Sequence, residues 1–422
     1  MIVDIVSTGE EVLAGLVVDS NAAFIADRLV QAEVEVGRHI CVGDREETIA
    51  AVLADCAARA DAVVVTGGLG PTGDDCTAKA AAAAAGVPLV QNPRALAGVK
   101  RFFAGLGVAP GSSDEKQAFL PDGALCLDNP VGSAPGFRLK LGACTFFFLP
   151  GVPGEARRMM ADHVMPWISA CATDGDSRIT VKTLSCFGLT EAAVGEKLAT
   201  VSGAFPGVRM GTRVRFPAID IRLAERRPSG SDSSSQLRPA VKEVTELLAD
   251  HVYSRSGQSM QAEVGALLRR HSLRLALAES CTGGLISSMV TDVAGSSDYF
   301  LFSGVTYSND AKTAVLGVSA ETLDRYGAVH EETAKEMANG ARRVSGADFG
   351  LSTSGIAGPG GGSPDKPVGT VCIGLSSAAG TKGYRYRFPF ADRWKNKSVF
   401  AVTALNVLRK EILQARCGER PA

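Results

Sequence analysis

Two short runs carry residue types able to do acyl chemistry: Ala278-Glu279-Ser280-Cys281-Thr282-Gly283-Gly284 and Val305-Thr306-Tyr307-Ser308-Asn309-Asp310-Ala311-Lys312. The largely apolar stretch Leu273 to Ala278 predicts a buried strand before the first run, and Leu285 to Val293 predicts a helix after it. Ser280 then sits at a strand-to-helix turn, where unpaired N–H groups and the helix dipole favour a developing negative charge. The second run has no His, and the next one along the chain is His330, so Lys312 is the candidate base. A lysine can deprotonate a hydroxyl when burial lowers its pKa, and Ser-Lys pairs are one form of the nucleophile-base arrangement. The same residues have a plainer use, Ser280 as a helix cap and Lys312 as a surface charge, and residue type alone leaves both open. Cys281 has no His in its motif and reads as a small buried neighbour.

A second constellation lies near the N-terminus, in Thr66-Gly67-Gly68-Leu69-Gly70-Pro71-Thr72-Gly73-Asp74-Asp75-Cys76-Thr77. It follows an apolar strand and opens an Ala-rich helix, so its glycines permit close backbone approach to a ligand beside a helix N-terminus. It is neither a Walker loop nor a dinucleotide G-x-G-x-x-G. Asp74 and Asp75 fit either a helix cap or the carboxylate ligands of a hard divalent cation bridging phosphate oxygens.

The elements that must position these runs alternate. Ile2 to Val6, Val36 to Val42 and Ala62 to Thr66 predict strands, and Asn21 to Gln31, Glu46 to Arg59 and Asp75 to Ala85 predict helices. That order implies a parallel sheet with helices on both faces. Phe137 to Leu141 and Thr145 to Leu149 add strands, and a helix follows from about Gly154 to Ala170. A polar cluster, Thr173 to Ser177, suits a linker. Beyond it Ile179 to Phe187 (strand), Thr190 to Thr200 (helix), Asp220 to Ala224 (strand) and Ala240 to His251 (helix) form a small α+β module. Arg226 to Ser235, rich in Ser, reads as a mobile loop. The third part opens on a helix, Gln261 to His271, and has strands at Leu273 to Ala278, Gly304 to Tyr307, Phe349 to Ser352 and Thr370 to Leu375. The Gly/Pro loop Gly358 to Gly369 follows a strand, a usual place for ligand contact. The expected division is 1–172, 173–256 and 257–422, all α/β or α+β.

Length and composition bound the rest. The 422 residues suffice for two or three cores, and 45% hydrophobic with 21% charged residues is a globular balance. A formal net charge of −1 supplies no general attraction to nucleic acid or anionic membrane. The first residues read as a strand and not a signal peptide, and charges or glycines interrupt every apolar run. Ten scattered cysteines without a C-x-x-C pair imply a reducing, cytoplasmic setting and no structural zinc.

The C-terminal half resembles the nicotinamide mononucleotide deamidases of the PncC family, on the ESCTGG run, the VTYSN-x-x-K run, and Ser354-Gly355-Ile356-Ala357-Gly358-Pro359 with Gly369-Thr370-Val371 after it. The full chain resembles the CinA competence/damage-inducible family, which joins such a deamidase to a larger N-terminal domain. The resemblance implies a nicotinamide mononucleotide substrate, no cofactor for the deamidase, and a homodimer. On that reading Ser280 is the nucleophile, Lys312 the base, and Tyr307 and Asn309 orient Lys312 or stack on the ring. Cys281, Thr282, Gly283 and Gly284 would supply oxyanion N–H groups, Thr353, Ser354 and Gly355 would bind phosphate, and Arg393, which matches a family arginine, would pair with the phosphate. Tyr307 as a core residue, Ser354 as a turn former and Arg393 as a surface charge are the plainer uses.

The first part resembles the molybdopterin-binding domain family, a three-layer α/β fold in which a Gly-Gly-x-Gly loop and a following Asp bind a phosphorylated ligand. The matching stretches are Ser7-Thr8-Gly9-Glu10, Asp19-Ser20-Asn21, the Gly67, Gly68, Gly70, Pro71, Thr72 loop, Asn129-Pro130-Val131-Gly132, and Leu149 to Glu155 with Gly151. Within CinA proteins this domain is associated with metal-dependent ADP-ribose pyrophosphatase activity, which makes Glu10, Asp74, Asp75 and Glu155 candidate metal or base carboxylates. Where the family carries Asn-rich or basic residues, this chain reads Gly111-Ser112-Ser113-Asp114-Glu115, acids that would repel a phosphate. Two other classes compete: a molybdopterin-type binding module, which leaves the Ser280 and Lys312 runs unexplained, and a competence or DNA-repair accessory protein with a KH-like middle module. Near-zero net charge and the lack of a basic Gly-x-x-Gly loop in 178–254 argue against nucleic acid as a partner.

Overall fold

A computed structural model of the protein describes residues 1–32, 34–172, 177–228 and 235–417. The chain forms two compact units: Met1–Val181 with the stretch that begins at Arg226, and Lys182–Glu225 with the chain from Ser235 onward. Among the described residues no helix is long and apolar enough to cross a membrane.

In the first unit the strands are β1 (Ile2–Thr8), β2 (Glu35–Val42), β3 (Ala62–Thr66), β4 (Leu89–Gln91), β5 (Phe119–Pro121), β6 (Leu125–Leu127), β7 (Gly136–Leu141) and β8 (Cys144–Leu149). Six of them form one sheet in the order β2-β1-β3-β8-β7-β6, parallel from β2 to β8 and antiparallel beyond, while β4 and β5 pair separately. Alternate residues face opposite helical layers, as strand periodicity requires. Val63, Val65, Phe146 and Phe148 pack with Ile49, Leu53 and Ala80, whereas Val64 and Phe147 pack with Ile25, Leu29 and Met160. This is the three-layer α/β architecture. The helix expected from about Gly154 runs as Pro153–Met159, a π-helical segment Met160–Val164, and Met165–Ala172. The Ala-rich helix begins at Thr77, so Asp74 and Asp75 lie in the loop before it.

The second unit holds two sheets. The first contains β9 (Ser177–Phe187), β10 (Val208–Arg215), β11 (Ala218–Pro228) and β12 (Val252–Ser254), in the order β10-β11-β9-β12. Helices Glu191–Ser202 and Leu237–Leu248 cover it with Val194, Leu198, Val244 and Leu248 against Leu184, Ile221 and Leu223. The expected loop from Arg226 is corrected at its start. Arg226 to Pro228 continue β11, residues 229–234 lie outside the described residues, and so do 173–176 of the expected linker.

The other sheet contains β13 (Leu275–Glu279), β14 (Phe300–Val305), β15 (Phe349–Gly355), β16 (Thr370–Ser377) and β17 (Gly380–Arg387), in the order β14-β13-β15-β16-β17. β13 runs parallel to both neighbours, and β15, β16 and β17 alternate. Leu275 and Leu277 face the core shared with helices Met260–Arg270 and Arg393–Cys417, while Ala276 and Ala278 face Met337 and Ala341 of helix Glu331–Ser345. That helix lies unusually close to the sheet. A Cβ at Gly350 would fall 2.0 Å from the Ala338 carbonyl oxygen, and one at Gly374 2.0 Å from that of Ala334, so both positions need glycine. The carboxyl ends of β13, β14 and β15 therefore share one edge, where ligands bind in open α/β sheets.

Candidate active site

Ser280 is the first residue after β13, and its N–H donates to the Thr353 carbonyl at 2.9 Å, which fixes the turn to β15. Lys312 lies in helix Asn309–Leu316, capped by Ser308, whose hydroxyl accepts the Ala311 N–H. The strand expected through Tyr307 ends at Val305, and this turn lets the helix aim Lys312 back under β13. Its Nζ lies 3.2 Å from Ser280 Oγ, 2.9 Å from the Thr306 carbonyl oxygen and 3.2 Å from that of Tyr307. The side chain is fully buried, and this burial lowers its pKa, opposed weakly by the Cys281 sulfur. No carboxylate pairs with it among the described residues. A neutral amine has two N–H bonds and one lone pair. With the two carbonyls taking the N–H bonds, the lone pair is left for the Ser280 hydroxyl.

The turn itself narrows the oxyanion donors. Gly283 N–H donates to the Ser280 carbonyl and Leu285 N–H to that of Thr282, whereas Cys281, Thr282 and Gly284 donate no backbone bond among the described residues. The Cys281 thiol faces the core, at 5% exposure, and burial pushes its pKa up to about 12. It offers the site only its backbone, because a thiol so protonated is not a nucleophile at neutral pH. Cys281→Ala should accordingly keep kcat within about threefold, a change under 1 kcal/mol. A steady-state comparison with wild type checks this, and loss of turnover would make the thiol a participant.

The remaining expected residues divide into braces and rim. Thr282 and Thr353 are buried and share a hydroxyl–hydroxyl bond of 2.7 Å, and the Ser354 hydroxyl donates to the Ala328 carbonyl at 2.6 Å. These hydroxyls are committed to the fold, so a phosphate contact from Thr353, Ser354 or Gly355 would come through the backbone. Tyr307, at 62% exposure, is a rim residue and not core. Arg393 donates from Nη1 to the Gly358 carbonyl at 2.7 Å and from Nη2 to the Tyr307 hydroxyl at 3.3 Å, joining both to the Gly/Pro loop. Asn309, exposed, opens the Lys312 helix. Sequence reasoning missed Lys397, one helical turn beyond Arg393, whose Nζ lies 3.5 Å from where a Cβ on Gly283 would stand. Its i, i+4 spacing from Arg393 was a signal that could have found it. Glu279 was also missed. It is fully buried and accepts from the N–H groups of Ile286 and Ser287.

In the first unit a cleft of about 430 Å³ opens at the carboxyl ends of β1, β3 and β8, lined by Gly9, Asn21, Gly67, Gly68, Gly70, Pro71 and Gly151 among others. Asn21 donates to the Gly151 carbonyl at 2.7 Å, and Asn129 donates to Glu155 at 2.7 Å and to the Ala134 carbonyl at 2.8 Å. Gly132 packs against Glu155, with no room for a Cβ, and burial raises the Glu155 pKa, opposed by the Asn129 bond. Asp75 accepts from the Thr72 N–H at 2.9 Å and hydroxyl at 2.6 Å, and Asp74 accepts from the same hydroxyl, which lowers the Asp74 pKa. Glu10 turns away against Gly43, while Glu11 and Asp44, both unforeseen, line the cleft. Burial raises the Asp44 pKa, and the charges of Glu11, Asp74 and Asp75 add to it.

Asp74 and Asp75 share the Thr72 hydroxyl while Glu155 is held by Asn129 and Glu10 lies against Gly43, and among the described residues no three His, Cys, Asp or Glu side chains stand as a metal-holding group. The two acids expected to repel a phosphate, Asp114 and Glu115, stand outside the lining of the cleft. Asp114 accepts the Gly111 N–H at 2.8 Å, Glu115 pairs with Lys100 at 3.7 Å, and neither lines it.

Residues 257–412 match the family described as the CinA C-terminal domain, and residues 4–170 match the probable molybdopterin binding domain. A CinA-like protein of Desulfosudis oleivorans is 49% identical across 98% of this chain and 100% of its own length. One from Desulforapulum autotrophicum is 48% identical across 98% and 99%. Among solved structures, the competence/damage inducible protein CihA of Agrobacterium tumefaciens is 39% identical and covers 37% of this chain and 98% of its own, with a TM-score of 0.35.

Proposed function

The chain belongs to the CinA-like proteins, and from that membership and the buried Ser280–Lys312 pair we propose that its second unit is an amidohydrolase converting nicotinamide mononucleotide to nicotinate mononucleotide and ammonia, in the cytoplasm and as a homodimer. The observation that carries the reading is Lys312 Nζ at 3.2 Å from Ser280 Oγ with two carbonyls on its other side. Ser280 Oγ attacks the carboxamide carbon as Lys312 takes its proton. The tetrahedral oxyanion is met by free N–H groups of the Cys281–Gly284 turn. Lys312 then returns its proton to the departing nitrogen, the C–N bond breaks and ammonia leaves. A water attacks the resulting ester, giving a proton to Lys312, which passes it to Ser280 as the acid product departs. Arg393 and Lys397 stand at the rim to meet the phosphate.

Ammonia release from nicotinamide mononucleotide by the wild-type protein, with chelator present, tests the reading directly. Release of ammonia supports it, and an inactive wild type rejects it. The base must be neutral, so kcat/KM is expected to rise with pH through the Lys312 pKa and level off above it. Because burial lowers that pKa below 10.5, the plateau arrives at a lower pH than a free lysine would allow. A rate that falls as pH rises from 6 to 9 would exclude Lys312 as the base.

The cleft of the first unit favours a second site, for a phosphorylated ligand cradled by Gly67, Gly68 and Gly70. ADP-ribose is our candidate. Among the described residues Glu10, Asp74, Asp75 and Glu155 do not gather into one metal-holding group.

A further inference from the structure

An aromatic side chain of the middle sheet's hairpin reaches the amidase rim. Phe216 and Pro217 form the tip of the β10–β11 hairpin. The Phe216 ring lies edge-on to Phe390, with centroids 5.3 Å apart at 82°, and 6.0 Å from the Trp394 ring at 34°. These two partners bracket Arg393 in sequence. Asn396 completes the brace from the other side, its Nδ2 donating to the Phe390 carbonyl at 2.8 Å and to the Ala357 carbonyl at 3.0 Å. Asp392 caps the following helix, its carboxylate accepting the Lys395 N–H at 2.7 Å. The segment from Phe390 to Lys397 is therefore clamped between the Gly/Pro loop and the hairpin tip. The clamp is part of the fold, because Ala218 and Tyr253 of the middle sheet belong to the same core as Leu275, Val371 and Phe400, and Phe216 packs against it.

We infer that Phe216 is a positioning residue for the amidase: its ring holds the Phe390–Trp394 segment so that Arg393 and Lys397 face the phosphate end of the mononucleotide. This rests on the amidase reading above. The Phe216 ring contacts run to Phe390 and Trp394, beside the rim arginine, so the middle module acts on substrate affinity and leaves the chemical step alone. A buttress of this kind also explains a large, half-buried aromatic at a hairpin tip, where a turn-forming residue would ordinarily serve. Arg393 keeps its bonds to Gly358 and Tyr307 without Phe216, but the segment loses the ring that packs on Phe390 and Trp394.

The test compares wild type, Phe216→Ala, Trp394→Ala, Phe216→Tyr, Arg393→Ala and the double variant Phe216→Ala/Arg393→Ala, all in the full-length protein. Trp394 is 64% exposed, so its variant keeps the test open if Phe216→Ala fails to fold. Phe216→Ala and Trp394→Ala should each raise KM for nicotinamide mononucleotide about tenfold with kcat within about twofold. Inhibition by ribose 5-phosphate should weaken about as much, inhibition by nicotinamide should not change, and Phe216→Tyr should behave as wild type. The double variant should lose less than the two single losses multiplied together, because one of the two cations that the segment presents is already gone. Additive losses, or a fall in kcat with KM unchanged, would overturn the proposal while leaving the amidase reading intact. A wild type that releases no ammonia would overturn both.

Discussion

Ser280→Ala is expected to release ammonia from nicotinamide mononucleotide at a rate lower than wild type by about 10⁴-fold or more, the scale seen when a nucleophile is removed from a unit that works together. Lys312→Met should lose about as much, and Ser280→Ala/Lys312→Met should be no slower than either alone. Non-additivity follows from the geometry. Lys312 has no carboxylate partner among the described residues, and its bonds run only to Ser280 and to two backbone carbonyls, so its sole chemical outlet is the serine proton. Removing the proton's donor or its acceptor halts the same step. Lys312→Arg is expected to be inactive as well, since a guanidinium stays protonated and cannot accept the proton. Single-turnover measurements on folded variants settle the matter. A Ser280→Ala protein retaining more than about a hundredth of the wild-type rate would identify another nucleophile, because removing a nucleophile from such a unit costs about 10⁴-fold or more.

Much of this site was legible because short-range patterns wrote it. The apolar run before Ser280 and the glycines after it marked the strand-to-helix turn, and the spacing to Lys312 placed the amine on a neighbouring helix. What stayed hidden depends on partners distant in sequence. β10 reads Val-Arg-Met-Gly-Thr-Arg-Val-Arg and β17 reads Gly-Thr-Lys-Gly-Tyr-Arg-Tyr-Arg, edge strands rich in arginine and glycine with half-exposed faces and few aliphatic residues to mark them. Helix Arg393–Cys417 carries apolar residues around much of its circumference, so it shows no amphipathic stripe to betray its period. In the first unit the acidic residues read as a metal set because the resemblance puts them in motifs at neighbouring strand ends. In space, Glu10 turns to Gly43 while Glu11, its neighbour, enters the cleft. Adjacent helix positions point about 100° apart, and a motif that fixes the helix does not fix which of two glutamates faces a ligand. Phe216 shows the opposite limit: nothing local distinguishes a turn aromatic from a buttress until Phe390 and Trp394 are seen beside it.

The residue just before the nucleophile is expected to give the largest stability effect. Glu279 ends β13 with its side chain fully buried. Its carboxylate spans the catalytic turn to accept the Ile286 N–H at 3.1 Å, the Ser287 N–H at 2.8 Å and the Ser287 hydroxyl at 2.5 Å. The turn from Ser280 to Gly284 is thus closed by a side-chain clasp between the strand that precedes it and the helix that follows. Gly283 and Gly284 supply the positive φ, 61° and 88°, that so short a closure demands. Glu279→Ala removes the acceptor and leaves two backbone donors and a hydroxyl buried without it, at about 1–3 kcal/mol for each group. Part of that is recovered as the Ser287 hydroxyl keeps its 2.5 Å contact with Ser303, so a net loss of about 3–5 kcal/mol is expected. At about 2–4 °C per kcal/mol for a unit of this size, the melting transition should fall by roughly 10 °C. Glu279→Gln should lie between, since its amide can accept from one backbone N–H but turns a second donor toward the other. Activity should fall with stability, by about 10²-fold in Glu279→Ala at a temperature where the protein is still folded, because an ångström of drift in Ser280 spoils its alignment with Lys312. Calorimetric melting of the three proteins, with turnover measured well below each transition, decides the point. A Glu279→Ala protein that melts with wild type would mean that the clasp does not hold the turn, and that Ser280 owes its place to the Thr353 carbonyl alone.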